Sequence, residues 1–196
     1  MNKIIVSLFL TSILCYAQVG SGGLGGGAPS TTTVVNTGIF SQTASVSVGN
    51  TVAETTIIGS GVGSTTLQAN YLKQGKTLKI RAWGYHSSVS NPNITIRVKI
   101  GSTVVLTTGA VASHASTNDG FTIDSWVTCR TTGQTGTVFA QGTYTEISNP
   151  VFEMTNTTTS TIDTTASQTI DITVQWGTQS NSDTLTATNV VIESVM

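Results

Sequence analysis

KTLKIRAWGYHSSVSNPNITIRVKIGSTVVL, residues 76–106, decides the fold of this chain. Apolar and polar side chains alternate in residues 78–83 and again in residues 94–100. Alternation with a period of two is typical of β-strands that have one apolar and one polar face. Pro92 interrupts the first run, and Gly101 begins a two-residue hairpin turn into a third run. The stretch therefore predicts three successive strands in an antiparallel meander.

The same alternation continues on both sides of this centre. Val190 and Ile192 have the opposite parity to Leu185 and Ala187, which predicts a β-bulge near Asn189. About eight or nine strands with no helical segment predict an all-β fold, an antiparallel β-sandwich or barrel, and eight strands in two sheets favour the jelly-roll type. The further predicted strands are residues 52–58, 121–130, 138–147, the edge piece 150–154, 169–176 and 183–195.

Charge is scarce in this sequence. Charged residues make up 9% of the 196 residues, against roughly 25% in an average soluble protein. Six of the eight basic residues lie in residues 73–99, and eight of the nine acids lie from Asp119 onward. A net charge of -1 provides no overall electrostatic attraction for nucleic acid. Protein surfaces with so few charges repel one another only weakly, and this composition favours a protein that works in an assembly or outside the cell.

The N-terminal quarter of the sequence differs in composition from the remainder. Residues 1–17 join one lysine to an apolar run, which predicts a signal peptide cut before Gln18 or, if retained, an apolar N-terminal tail. Residues 18–49 begin with a glycine-rich linker and end in a transitional arm or edge strand. The β-sandwich domain is predicted over residues 50–196.

Residues capable of catalysis or metal binding are few. His114 and Asp119 could join one of many serines in a hydrolase site, but no Gly-x-Ser-x-Gly elbow frames a nucleophile. Two separated histidines and one thiol do not supply a metal site, so no cofactor is expected. Cys15 lies in the leader, and Cys129 is predicted to be a buried, inert thiol.

Three aromatic residues lie on nominally polar strand faces. Trp83 and Tyr85 share a face with Lys79, and Trp126 shares one with Asp124. Such rings could stack on sugar rings, as in carbohydrate-binding modules. They could equally pack under a second sheet, a neighbouring subunit or the N-terminal arm. Trp83, Tyr85 and Trp126 are therefore the candidate residues for contact with a glycan or a partner.

Three motifs resemble those of a C-terminal domain type found in bacteriophage virion proteins of the tail-fibre or head-fibre kind. They are KTLKIRAWG (76–84), WVTCRTTGQTGTV (126–138) and IDTTASQTIDITVQWG (162–177). The resemblance covers about three quarters of the chain, residues 51–195. It implies a jelly-roll sandwich, a trimer, a structural or receptor-facing role and no enzymatic activity. The leader departs from this pattern, because virion proteins are normally assembled in the cytoplasm.

Together these observations predict a non-enzymatic structural and attachment module on a virion surface, either a fibre or a decoration protein. Its partners would be itself, as a homotrimer, other virion proteins through the N-terminal segment, and host glycan. The trimer would bury residues 104–106 and 190–192, which look too apolar for solvent. The first alternative is a bacterial adhesin or carbohydrate-binding sandwich that is secreted or on the cell surface. A secreted hydrolase using His114 is the least favoured.

Overall fold

The computed structural model of this chain describes residues 37–195, and these residues form strands and their connections. Within that range no helix is long and apolar enough to cross a membrane. The predicted leader, residues 1–17, lies outside the described residues. The strands are β1 (Thr37–Gln42), β2 (Val46–Gly49), β3 (Thr55–Thr56), β4 (Gly61–Gly63), β5 (Thr66–Leu67), β6 (Thr77–Ser88), β7 (Asn93–Ile100), β8 (Thr103–Thr107), β9 (Val111–Ala112), β10 (Ser116–Thr131), β11 (Gly136–Glu146), β12 (Phe152–Thr155), β13 (Ser160–Ile162), β14 (Gln168–Trp176) and β15 (Thr184–Ser194).

The strands form two antiparallel sheets, which confirms the predicted all-β sandwich. The nine-stranded sheet has the order β12-β11-β10-β6-β15-β1-β4, with β13 also paired to β11 and β2 to β15. The six-stranded sheet has the order β3-β14-β7-β8, with β5 paired to β14 and β9 to β7. Jelly-roll connectivity remains a prediction.

The apolar faces of the central strands form the core. Leu78 and Ile80 of β6 have no exposed surface, and neither do Ile94 and Ile96 of β7. Burying one such side chain contributes about 1.5–3 kcal/mol. The polar residues between them are partly exposed. The period-two alternation of apolar and polar residues therefore correctly predicted the inner and outer face of each strand.

The predicted three-stranded meander is wrong at its first connection. β6 pairs with β10 and β15, whereas β7 pairs with β14, β8 and β9, so β6 and β7 lie in different sheets. Ser90 and Asn91 both have positive φ in the link between them. Alternation reports which face of a strand is apolar, and it does not report which neighbour pairs with that strand. The β7–β8 hairpin is confirmed, and Gly101 has φ +59 as the first turn residue.

The N-terminal arm contributes to the nine-stranded sheet. Residues 37–49 form β1 and β2, which both pair with β15. Phe40 and Val48 are buried in the core. The packed strands therefore begin before residue 50, the predicted start of the domain. The predicted strand over residues 52–58 is much shorter, because only Thr55–Thr56 pairs, with β14.

The predicted bulge in the last strand is confirmed. The pairing of β15 with β6 shifts register between Ala187 and Asn189. Gly84 lies opposite this irregularity, where an added Cβ would clash with the Thr186 carbonyl oxygen. At Gly84 the bulged strand β15 therefore lies so close to β6 that only glycine fits.

The apolar segments that were expected to need a trimer, residues 104–106 and 190–192, are largely covered within the chain, although Val104 remains 39% exposed. Val105 and Leu106 are buried within the chain's own core, and so are Val190 and Ile192. These residues need no second subunit to remove them from water. The homotrimer itself remains a prediction, without this support.

Candidate functional site

The three candidate aromatic residues lie on the outer face of the nine-stranded sheet. Trp83 and Tyr85 project outward from β6, and Trp126 projects outward from β10, the strand paired with it. Tyr85 is 41% exposed and Trp126 is 42% exposed, while Trp83 is half-buried. Within the described residues the second sheet packs against the opposite, inner face. The structure therefore brings all three rings to one surface, which we call the aromatic face.

Charged side chains hold two of these rings. Lys79 Nζ lies 4.6 Å from the centroid of the Trp126 ring, and the Arg81 guanidinium lies 5.6 Å from that of Trp83. Arg81 Nε also lies 3.3 Å from Asp124 Oδ2 on β10. These groups are partly solvent-exposed, so each contact stabilises the fold by at most about 1 kcal/mol. Their main effect is to orient the rings.

The aromatic face carries two separate depressions. The first, of about 410 Å³, lies beside Trp83 and is bounded by Phe121 and the highly exposed Ile147. The second, of about 610 Å³, lies beside Trp126 and is bounded by polar residues of β10, β11 and β12. Arg81 lines the first depression and Asp124 lines the second, so their ion pair separates the two.

A buried polar cluster lies at one end of the sandwich and was missed by the sequence reasoning. Glu146 and His86 are both fully buried, with Glu146 Oε1 3.8 Å from His86 Nε2. Tyr144 Oη donates to Glu146 Oε1 at 2.8 Å, while the backbone N–H of His114 and Asn149 Nδ2 donate to Oε2, each at 2.9 Å. Burial, with the nearby carboxylate, holds the pKa of Tyr144 well above its ordinary value. The sequence signal was a charged residue at an inward position of β11.

This buried cluster fastens the connections at that end of the sandwich. His86 Nε2 lies 3.3 Å from the carbonyl oxygen of His114 and 3.2 Å from Ser116 Oγ. A catalytic triad needs the carboxylate and the nucleophile on opposite ring nitrogens. Here Glu146 and Ser116 both approach Nε2, and Nδ1 has no hydrogen-bond partner among the described residues. The geometry is that of a structural clamp.

The residues of the least favoured prediction, the hydrolase, are not brought together by side-chain contacts. The His114 residue is exposed, and its hydrogen bonds in the described region use its backbone. Asp119 Oδ2 accepts a hydrogen bond from the backbone N–H of Ser148. Between residues 37 and 195 no group of three or more His, Cys, Asp or Glu is placed to hold a metal ion.

Cys129 is buried as expected, and its thiol donates to the Thr131 carbonyl oxygen at 3.3 Å. Burial raises the pKa of this thiol, which lowers the fraction of reactive thiolate at neutral pH. Cys129 is therefore part of the hydrophobic core and does not belong to a reactive site.

Comparisons with known proteins do not place the chain in a family. No protein-family model matches the sequence, and no match was found among curated proteins.

Proposed function

We propose that this chain is a non-enzymatic attachment module that makes contact through its aromatic face. The observation that carries the proposal is that Tyr85 and Trp126 are exposed on the same outer sheet face as Trp83. Tryptophan and tyrosine contribute large contact areas at low entropic cost, and they are enriched among the residues that dominate binding energy. Because they project from paired strands, these rings are held in position before a partner arrives.

The placement of the polar residues supports a role in contact over a role in catalysis. His86 and Glu146 would be the natural acid–base pair, but both are sealed from solvent. His114 is accessible, but its described hydrogen bonds are made by its backbone atoms. General acid–base catalysis requires a titratable group within hydrogen-bond reach of a substrate. The aromatic face offers binding groups without such a pair.

A virion surface is the proposed setting, as a fibre or decoration protein. The three motifs at residues 76–84, 126–138 and 162–177 support it by resemblance, and the low charge of the chain is compatible with dense assembly. In this setting the chain would form homotrimers and join other virion proteins through its N-terminal segment. Light scattering of the full chain after gel filtration tests this part, since a monomer at high concentration contradicts the trimer.

A secreted adhesin or carbohydrate-binding module is the second candidate. The polar depression beside Trp126 favours it, because sugar-binding surfaces combine a flat ring with hydrogen-bonding side chains. Intact-mass measurement of the native protein separates the two settings. A chain that begins at Gln18 supports secretion, whereas a chain that retains Met1 supports assembly into a particle.

Adhesion of coated beads tests the attachment function itself. Beads carrying the full chain are expected to retain cells of at least one strain in a bacterial panel. The double variant Trp83→Ser and Trp126→Ser should lose most of this retention. Val104→Ser is the matched control, because Val104 is 39% exposed but lies on the six-stranded sheet. Equal retention by the double variant and the control would contradict the proposal.

A further inference from the structure

We propose that the depression beside Trp126 is a binding site for a neutral glycan. This inference rests on the proposed attachment function and names the class of ligand. Six outward-facing side chains form the site as two rungs across β10, β11 and β12. Neighbouring strands are about 4.8 Å apart and the rungs about 6.8 Å apart, so the site is a compact patch. The rungs are Trp126, Gln141 and Thr155, and Asp124, Thr143 and Glu153.

One side of the Trp126 ring remains available to a ligand. Lys79 covers the ring from β6, while the depression lies toward β11 on the opposite side of β10. The ring is therefore held by the cation on one side and bounds the depression on the other. A flat indole in this arrangement packs against the C–H-bearing face of a pyranose ring, which is apolar.

The surrounding side chains match the hydroxyl groups of a sugar. Asp124 and Glu153 accept hydrogen bonds, while Gln141 and the two threonines both donate and accept. Hydroxyl groups need such mixed partners, because each carries one donor and two acceptor lone pairs. β12 ends the hydrogen-bonded order of its sheet, so the depression opens toward that edge and can admit an extended chain.

Charge selects an uncharged ligand. Two carboxylates, Asp124 and Glu153, line the depression, and they would repel a uronic acid, a sialic acid or a phosphate. No cation among the described residues lines the depression, and the two that border it on β6, Lys79 and Arg81, already contact the Trp126 ring and Asp124. A neutral oligosaccharide avoids this repulsion and uses the carboxylates as acceptors.

The lining distinguishes a glycan from a protein partner. The depression beside Trp126 contains no aliphatic side chain, whereas the core of a protein interface is apolar and poor in charge. The depression beside Trp83 differs, because the exposed aliphatic side chain of Ile147 lines it. The glycan is therefore assigned to Trp126 and not to the whole aromatic face.

Titration of the full chain, followed by NMR of the indole N–H signals, tests the assignment. The probes are neutral hexasaccharides of glucose, mannose and galactose, with hexagalacturonate as the anionic comparison. At least one neutral probe should shift the Trp126 signal. Trp176 is the internal control, because its ring is buried and its Nε1 donates to the Val48 carbonyl oxygen.

Variants then locate the site. Trp126→Ala should weaken binding at least about tenfold, and Gln141→Ala about threefold, whereas Trp83→Ala should change it less than about threefold. Tighter binding of hexagalacturonate, or no shift of Trp126 by any neutral probe at about 5 mM, would overturn the inference. If bead retention still depends on the aromatic face in that case, the glycan assignment fails and the attachment proposal survives.

Discussion

Replacement of Glu146 by alanine should be among the most damaging single changes in this protein. Glu146 lies at an inward position near the end of β11, and its carboxylate accepts hydrogen bonds from three donors. These donors come from the β11 strand itself, from the connection before β10 and from the connection after β11. The substitution removes all three acceptor contacts at once and leaves His86 without its carboxylate neighbour.

The expected cost follows from the burial of the cluster. A buried donor left without a partner costs about 1–3 kcal/mol, and this substitution removes the acceptor of three donors. Because water could enter the space left by the side chain and satisfy some donors, we expect the lower end, about 3 kcal/mol. That is a large part of the roughly 5–15 kcal/mol that stabilises a typical native protein.

Urea unfolding of the full chain measures this cost. Glu146→Ala should lower the midpoint at an unchanged m-value, and Glu146→Gln, which keeps the shape and one acceptor oxygen, should lose only about 1–2 kcal/mol. Glu153→Ala is the matched control, since this exposed glutamate on β12 should change stability by less than about 0.5 kcal/mol. Hydrogen exchange at the His114 amide should accelerate in the alanine variant.

A small loss of stability would refute the role of the Glu146 cluster as a structural clamp. If Glu146→Ala unfolds within about 1 kcal/mol of the unsubstituted chain, the three hydrogen bonds do not hold the end of the sandwich. Unchanged exchange at the His114 amide would lead to the same conclusion by an independent route.

Three further predictions concern other parts of the fold. Gly84→Ala should cost about 1–3 kcal/mol in urea unfolding because its Cβ would meet the backbone of the bulged β15, whereas Gly38→Ala, which meets nothing within 4 Å, should be tolerated. The hydrogen bond from Thr173, assisted by Lys99 and Arg97, lowers the pKa of Glu54. A lowered folded-state pKa contributes stability that is present above the unfolded pKa and is lost as pH falls through the folded one. The stability difference between the unsubstituted chain and Glu54→Gln should therefore shrink in urea titrations between about pH 6 and pH 3, and by less than about 1 kcal/mol because the group is partly exposed. Cys129 should resist a thiol reagent in the native protein and react fully in denaturant, and rapid native labelling would contradict its burial.

The sequence predicted the strand faces because burial imposes a period of two on every paired strand. Leu78 and Ile80 point inward and Lys79 points outward, as their alternation requires. The bulge near Asn189 was predictable for the same reason, since a change of parity needs an extra residue. The placement of Trp83 and Trp126 on one outer face follows from this parity together with the pairing of β6 and β10.

Pairing itself could not be read from the sequence. The link between β6 and β7 resembles a hairpin, but it carries the chain from one sheet to the other. The polar cluster was missed for a related reason, because His86 and Glu146 come from strands separated by β10 and meet only at the end of the sandwich. The two depressions depend on which strands are neighbours, so the division of the aromatic face could not be predicted either.

Hydroxyl-radical footprinting of the full chain, free and bound to the cells it retains, tests the central claim most directly. Oxidation of Trp83, Tyr85 and Trp126 should fall on binding, while the buried Trp176 stays unmodified in both states. Equal oxidation of the three aromatic residues in the free and bound chain, or protection confined to the six-stranded sheet, would contradict the claim that the aromatic face makes the contact.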